Sequence, residues 1–103
     1  MEIYLVRHGT PYSEVEDPER KLSSKGLKQC QITGKALKLL HVNIDLIVSS
    51  PKIRAVQTAE IIAETLEYAK ENIKVTPTLE PNGFPLDVIS FLKDHSAKTG
   101  ILL

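Results

Sequence analysis

The stretch 3–6 is apolar at every position, which predicts a strand buried on both faces rather than a one-sided one. Gly9, Thr10 and Pro11 break it, and the polar stretch 14–21, interrupted by Pro18, reads as an exposed loop. From Leu22 the period changes. Leu27, Cys30, Gly34, Leu37 and His41 recur at three- and four-residue spacing, the stripe of a helix that Ser23 or Ser24 would cap. Gly26 and Gly34 lie within it, although each weakens helix propensity by about 1 kcal/mol relative to Ala. A second strand covers residues 46–49. Ser50-Pro51 then has the form of a helix start, Ser as the cap and Pro at the first helical position. That helix, from 52 to about 69, is expected to bury Ile53, Val56, Ala59, Ala63 and Leu66. Residues 73–76 predict a third short strand stopped by Pro77. A third helix over about 85–95 presents Val88, Ile89 and Leu92, and Ile101 opens another apolar run.

The order β-α-β-α-β-α-β implies the α/β class: a three-layer α/β/α sandwich around a mostly parallel sheet, in one domain spanning residues 1–103. Composition fits a small globular protein, 42% hydrophobic and 25% charged. Thirteen basic residues balance thirteen acidic ones, so net charge supplies no drive toward nucleic acid or an anionic membrane. No apolar run approaches the ~20 residues of a membrane span. A single cysteine, Cys30, forms no intrachain disulfide and suits a reducing compartment, so the expected location is cytoplasmic. No Cys/His cluster has zinc-ligand spacing, and neither a metal nor another cofactor is expected.

Two motifs carry chemistry, and both follow strands. Arg7-His8-Gly9 stands at the carboxyl end of the first strand, where parallel α/β sheets bind ligands. A neutral imidazole nitrogen can attack phosphorus in line, and a neighbouring guanidinium can neutralise phosphoryl oxygens with paired hydrogen bonds. Gly9 lets the backbone turn and leaves room for the anion. The second motif runs from Ser49 to Ala59, again strand then helix, with Arg54 in the helix's first turn. The chain has three arginines, and two of them lie in these motifs. Two guanidiniums converging on one anion are what a phosphate site needs.

Arg7-His8-Gly9 after an N-terminal strand, Leu22 through Gly26 opening a helix, and Ser49-Ser50-Pro51 followed by Arg54 and Gln57-Thr58-Ala59 together resemble the histidine phosphatase (phosphoglycerate mutase-like) superfamily. The small size and Leu79-Glu80-Pro81-Asn82-Gly83 look most like its short phosphohistidine phosphatase (SixA-type) branch. The resemblance implies that His8 becomes phosphorylated, that Arg7 and Arg54 hold the phosphate, and that no metal is needed. It also implies a second histidine in a Gly-His pair after the last core strand. Neither His41 nor His95 follows a glycine or a strand, so the chain corresponds to the N-terminal portion of such a domain.

Two functions therefore stand side by side. One is a phosphatase acting through phospho-His8 on protein phosphohistidine or a small phosphate ester. The other is a non-catalytic phosphate-binding or interaction module. Glu80 is a candidate general acid beside its reading as an exposed loop carboxylate. Thr10 and Ser13 are candidate hydroxyl donors to phosphate in a loop where such residues are common. Cys30 belongs to the apolar stripe and reads as core. His41 and His95 read as charges favourable to helix C-termini. Residues 101–103 are expected to start a central strand, and a two-fold homodimer is expected through the incomplete edge of the sheet.

Overall fold

A computed structural model describes residues 2–79 and 99–103. The elements are β1 (Glu2–Leu5), α1 (Ser24–Leu39), β2 (Leu46–Ser49), α2 (Ile53–Thr65), β3 (Lys74–Val75) and β4 (Thr99–Leu102). Short 3-10 turns cover Lys70–Asn72 and Pro77–Leu79. Among the described residues the strands form one parallel sheet in the order β1-β4-β2-β3. The fold is thus α/β with a parallel sheet, as the element order implies. The helix expected over 85–95, and with it Glu80 and His95, lies outside the described residues.

Both described helices pack on one face of the sheet. Leu37 of α1 and Ala59, Ile62 and Ala63 of α2 close over Ile47 and Ile101, with Tyr4 and Val6 at the margin. Ile47, Ile62 and Ile101 are fully buried, each contributing about 1.5–3 kcal/mol of apolar transfer. Leu46 and Val48 point to the opposite face and are buried as well, so β2 is two-sided. Among the described residues no helix is long and apolar enough to cross a membrane.

The structure revises several expectations. β1 is an outer strand: Ile3 is 44% and Leu5 81% exposed, so its apolar run is not buried on both faces. β4 is flanked by β1 and β2, the central place expected for the strand at Ile101, and the outer strands among the described residues are β1 and β3. Ser50 does not cap α2. Its N–H donates to the Leu103 carbonyl at 2.9 Å, while the Leu103 N–H donates to Val48, so the ladder keeps the chain extended. The helix therefore starts at Ile53, with Lys52 as a cap that makes no side-chain hydrogen bond. Leu27 and Ile53 lie on the solvent side of their helices, 40% and 41% exposed. β3 is two residues long and exposed on both.

α2 also ends four residues earlier than its periodicity suggests, for a backbone reason. The Tyr68 N–H reaches back to the Ala63 carbonyl at 2.8 Å and the Glu67 N–H to Glu64, the paired bonds of a Schellman motif. α1 ends the same way: Val42 N–H donates to Leu37 and His41 N–H to Lys38. Val42 packs on the core beside Leu37, the apolar contact that goes with this cap. Each motif needs one left-handed residue, and here these are His41 (φ 53) and Glu67 (φ 59) rather than glycine. A side chain in that region costs about 1–2 kcal/mol, against about 0.5–1 kcal/mol of extra chain entropy lost by glycine. Glu67→Gly is therefore expected to stabilise the fold by roughly 0.5–1 kcal/mol, read as a higher urea midpoint at unchanged slope. A lower midpoint would show that the Glu67 side chain makes a contact outweighing its backbone strain.

Candidate active site

Because all four strands run parallel, their carboxyl ends share one edge, and both chemistry-bearing motifs leave from it. The register sets Leu5 and Val48 each beside Leu102. Two residues past that row come Arg7 on one side and Ser50 on the other. The structure thus brings His8 and Arg54, 46 positions apart in the chain, into contact: Arg54 Nε donates to His8 Nε2 at 3.4 Å. On the other side of the ring, His8 Nδ1 donates to the Gly9 carbonyl at 2.8 Å. Together the two bonds place hydrogen on Nδ1 and a lone pair on Nε2, the form in which Nε2 is a nucleophile.

His8 and Arg54 are half-buried, whereas Arg7 is exposed. Among the described residues the ion pairs are Lys21–Glu19 and Lys70–Glu64, so neither Arg7 nor Arg54 is neutralised by a carboxylate. Both guanidiniums remain available to an anion. A cleft of about 370 Å³ opens here, lined by Arg7, His8, Gly9, Thr10, Pro11, Gln29, Cys30 and Thr33. Among the described residues no group of three His, Cys, Asp or Glu side chains converges where a metal ion would sit.

Thr10 lines the cleft, but its hydroxyl and its N–H both donate to Gln29 Oε1, at 3.0 and 2.9 Å. Ser13 stands away from it, its hydroxyl donating to Glu16 Oε1 at 2.9 Å. Cys30 is buried and free, as a core residue should be, and it also forms part of the cleft wall.

Beyond the expected Ser23 cap, side chains of α2 that the sequence left without a role support the site. Gly9 N–H donates to Thr58 Oγ1 at 3.1 Å, which fixes the residue next to His8 against α2. Gln57 Oε1 accepts the N–H of buried Leu22 at 2.8 Å and ties the end of the polar loop to the same helix. Ser23 caps α1, accepting the Gly26 N–H at 3.1 Å, while its own hydroxyl donates to the Thr10 carbonyl at 2.7 Å. One signal was present in the sequence: Gln57 and Thr58 lie three and four residues after Arg54, hence beside it on one helical face.

Gly9 and Gly26 permit the closest approach. A Cβ at Gly9 would stand 2.7 Å from the Gly26 carbonyl oxygen and 2.8 Å from Cys30 Sγ, and one at Gly26 would overlap the Thr10 carbonyl. Backbone cannot move aside as a flexible side chain does. Gly26→Ala is therefore expected to destabilise the fold by about 1–3 kcal/mol despite its better helix propensity. Gly100→Ala, whose Cβ would meet nothing nearer than 3.8 Å, should stay within about 1 kcal/mol. Equal denaturation midpoints for the two variants would contradict the close packing.

Comparison with known proteins agrees with this arrangement. The sequence profile of the histidine phosphatase superfamily (branch 1) matches residues 3–81. The serine/threonine-protein phosphatase Pgam5, mitochondrial, of Drosophila yakuba is 41% identical over 73 residues, 69% of this chain and 25% of that protein. The chain thus spans about a quarter of the curated relatives it matches. Among solved structures, the protein histidine phosphatase SixA complexed with tungstate superposes with a TM-score of 0.86 at 25% identity, covering 99% of this chain and 67% of that one. A SixA-type structure from Agrobacterium tumefaciens gives a TM-score of 0.78 at 20% identity, over 97% and 66% of the two chains, and supports the fold.

Proposed function

Because this chain belongs to the histidine phosphatase superfamily (branch 1), we propose that it is the phosphate-binding core of a phosphatase in which His8 takes the phosphoryl group from a phosphorylated protein. The contact that carries this reading is Arg54 Nε to His8 Nε2, a cation hydrogen-bonded to the nucleophilic lone pair. Substrate phosphate displaces that contact. The guanidinium turns from Nε2 to a phosphoryl oxygen, and the freed lone pair faces phosphorus. Arg7, at the cleft mouth, takes a second phosphoryl oxygen.

Nε2 then forms the N–P bond as the bond from phosphorus to the leaving atom breaks, its electron pair going to that atom. An alkoxide leaving group needs a proton, for which Glu80 is the candidate. A phosphohistidine substrate leaves as an imidazole and needs none if its ring is already protonated. As Nε2 bonds to phosphorus the ring becomes cationic, and the Nδ1–H bond to the Gly9 carbonyl strengthens with that charge. Water next attacks phosphorus, the N–P pair returns to Nε2, and inorganic phosphate leaves. Both arginines act on charge that grows during transfer, the kind of interaction that lowers a barrier rather than tightening binding alone.

A phosphorylated protein is favoured over a small ester because the names of two relatives, a serine/threonine-protein phosphatase and a protein histidine phosphatase, describe such substrates. Tungstate in the second is a tetrahedral oxyanion shaped like phosphate. A buried free thiol at Cys30 fits a reducing, cytoplasmic setting.

Labelling decides between the readings. With a ³²P-phosphoprotein donor, quenched in alkali, label should be recovered on His8 and be lost in acid. His8→Ala should abolish labelling and turnover, and Arg7→Ala or Arg54→Ala should each weaken transition-state stabilisation by about 2 kcal/mol or more, roughly thirtyfold in kcat/KM. Turnover surviving His8→Ala, or acid-stable label, would overturn the mechanism. Phosphate binding with no label at all would point to the non-catalytic module.

A further inference from the structure

We infer that Thr58 is the positioning residue that holds the His8 imidazole in register with the Arg54 guanidinium, an inference that rests on the reading of His8 as the nucleophile. Its hydroxyl makes three hydrogen bonds. It donates to the Arg54 carbonyl at 2.8 Å, and it accepts from Gly9 N–H at 3.1 Å and from Cys30 Sγ at 3.4 Å. One donor and two acceptor sites are all that a hydroxyl has, so its orientation is fully determined. The three partners come from the strand end beside His8, the first turn of α2 that carries Arg54, and α1 behind the cleft.

Thr58 is 1% exposed, which keeps water from substituting for any of these bonds. Thr58 and Arg54 share one turn, and the methyl group of a β-branched residue restricts χ1 in a helix. The hydroxyl is thus aimed by its own helix at the Gly9 N–H before any substrate arrives. Among the described residues His8 has no other side-chain tie than Arg54, since its Nδ1 bond is to the adjacent carbonyl of Gly9. Shifting Gly9 moves that carbonyl and the ring together. With the Arg54–His8 separation already 3.4 Å, a further displacement of a few tenths of an ångström removes the contact.

Thr58→Val keeps the shape and branching but removes the hydroxyl, and Thr58→Ser keeps the hydroxyl. In the purified protein, ¹⁵N shifts of His8 should report a protonated Nδ1 and a bare Nε2, with an Arg54 Nε–H signal coupled to it. In Thr58→Val that pattern should disperse and the Arg54 signal broaden. kcat should fall by about tenfold or more with KM within about threefold, because geometry at the reacting atoms is lost rather than affinity. Thr58→Ser should restore both pattern and kcat. A Val variant with the parental ¹⁵N pattern and kcat overturns the assignment. So does a folded Ser variant that loses them, and this second arm stands even if the Val variant does not fold. Absence of turnover in the parent protein would count against the phosphatase reading alone, since the ¹⁵N comparison is made without substrate.

Discussion

The strand end that carries His8 meets the first turn of α1 backbone to backbone, and that contact requires two residues without side chains. Gly9 lies against the Gly26 carbonyl and Cys30 Sγ, and Gly26 lies against the Thr10 backbone. The Ser23 cap closes the same junction by bonding both the Gly26 N–H and the Thr10 carbonyl. Once the strand end is pressed onto α1, its remaining N–H at Gly9 reaches α2 through Thr58. His8 is then held between two helices that were already packed against each other for apolar reasons. The helix defect at Gly26, about 1 kcal/mol when viewed locally, is offset by the junction it makes possible.

The electrostatics follow from this seating. Parallel strands bring their carboxyl ends to one edge, and α2 begins there with its early N–H groups and Arg54. Lys52 O already accepts from Ala55 and Val56, so the first turn is closed and rigid around the arginine. Among the described residues neither Arg7 nor Arg54 is paired with a carboxylate. Two like charges near a half-buried imidazole are unfavourable for folding alone, and a bound dianion relieves that repulsion. On the proposed function, stability without a bound anion and affinity for phosphate are therefore opposed.

The sequence made legible what depends on local pattern. The 3.6-residue period located both helices, the apolar run located β2 to the residue, and two arginines in strand-end motifs pointed to one anion site. What it did not reveal was set by partners distant in the chain. β1 looks buried because Ile3 and Leu5 are apolar, yet its place in the strand order leaves them exposed. Ser50-Pro51 looks like a helix start, but a ladder bond to Leu103 holds Ser50 in the sheet. The end of α2 was missed because Glu67 occupies a left-handed position where glycine is the usual sign. Thr58 was visible only as part of a motif, since its role lies in three contacts that no single local period encodes.

The residues that seat His8, the proposed phosphate acceptor (Gly9, Gly26, Cys30, Arg54 and Thr58), all fall within the part matched by the family profile. None of them addresses the leaving group. In an in-line transfer the nucleophile and the arginines touch phosphorus and its non-bridging oxygens, while the departing atom lies on the far side of phosphorus from Nε2. The same seat can therefore cleave an O–P or an N–P bond without altering any contact described for His8. On the proposed mechanism, specificity is therefore left to groups facing the leaving atom.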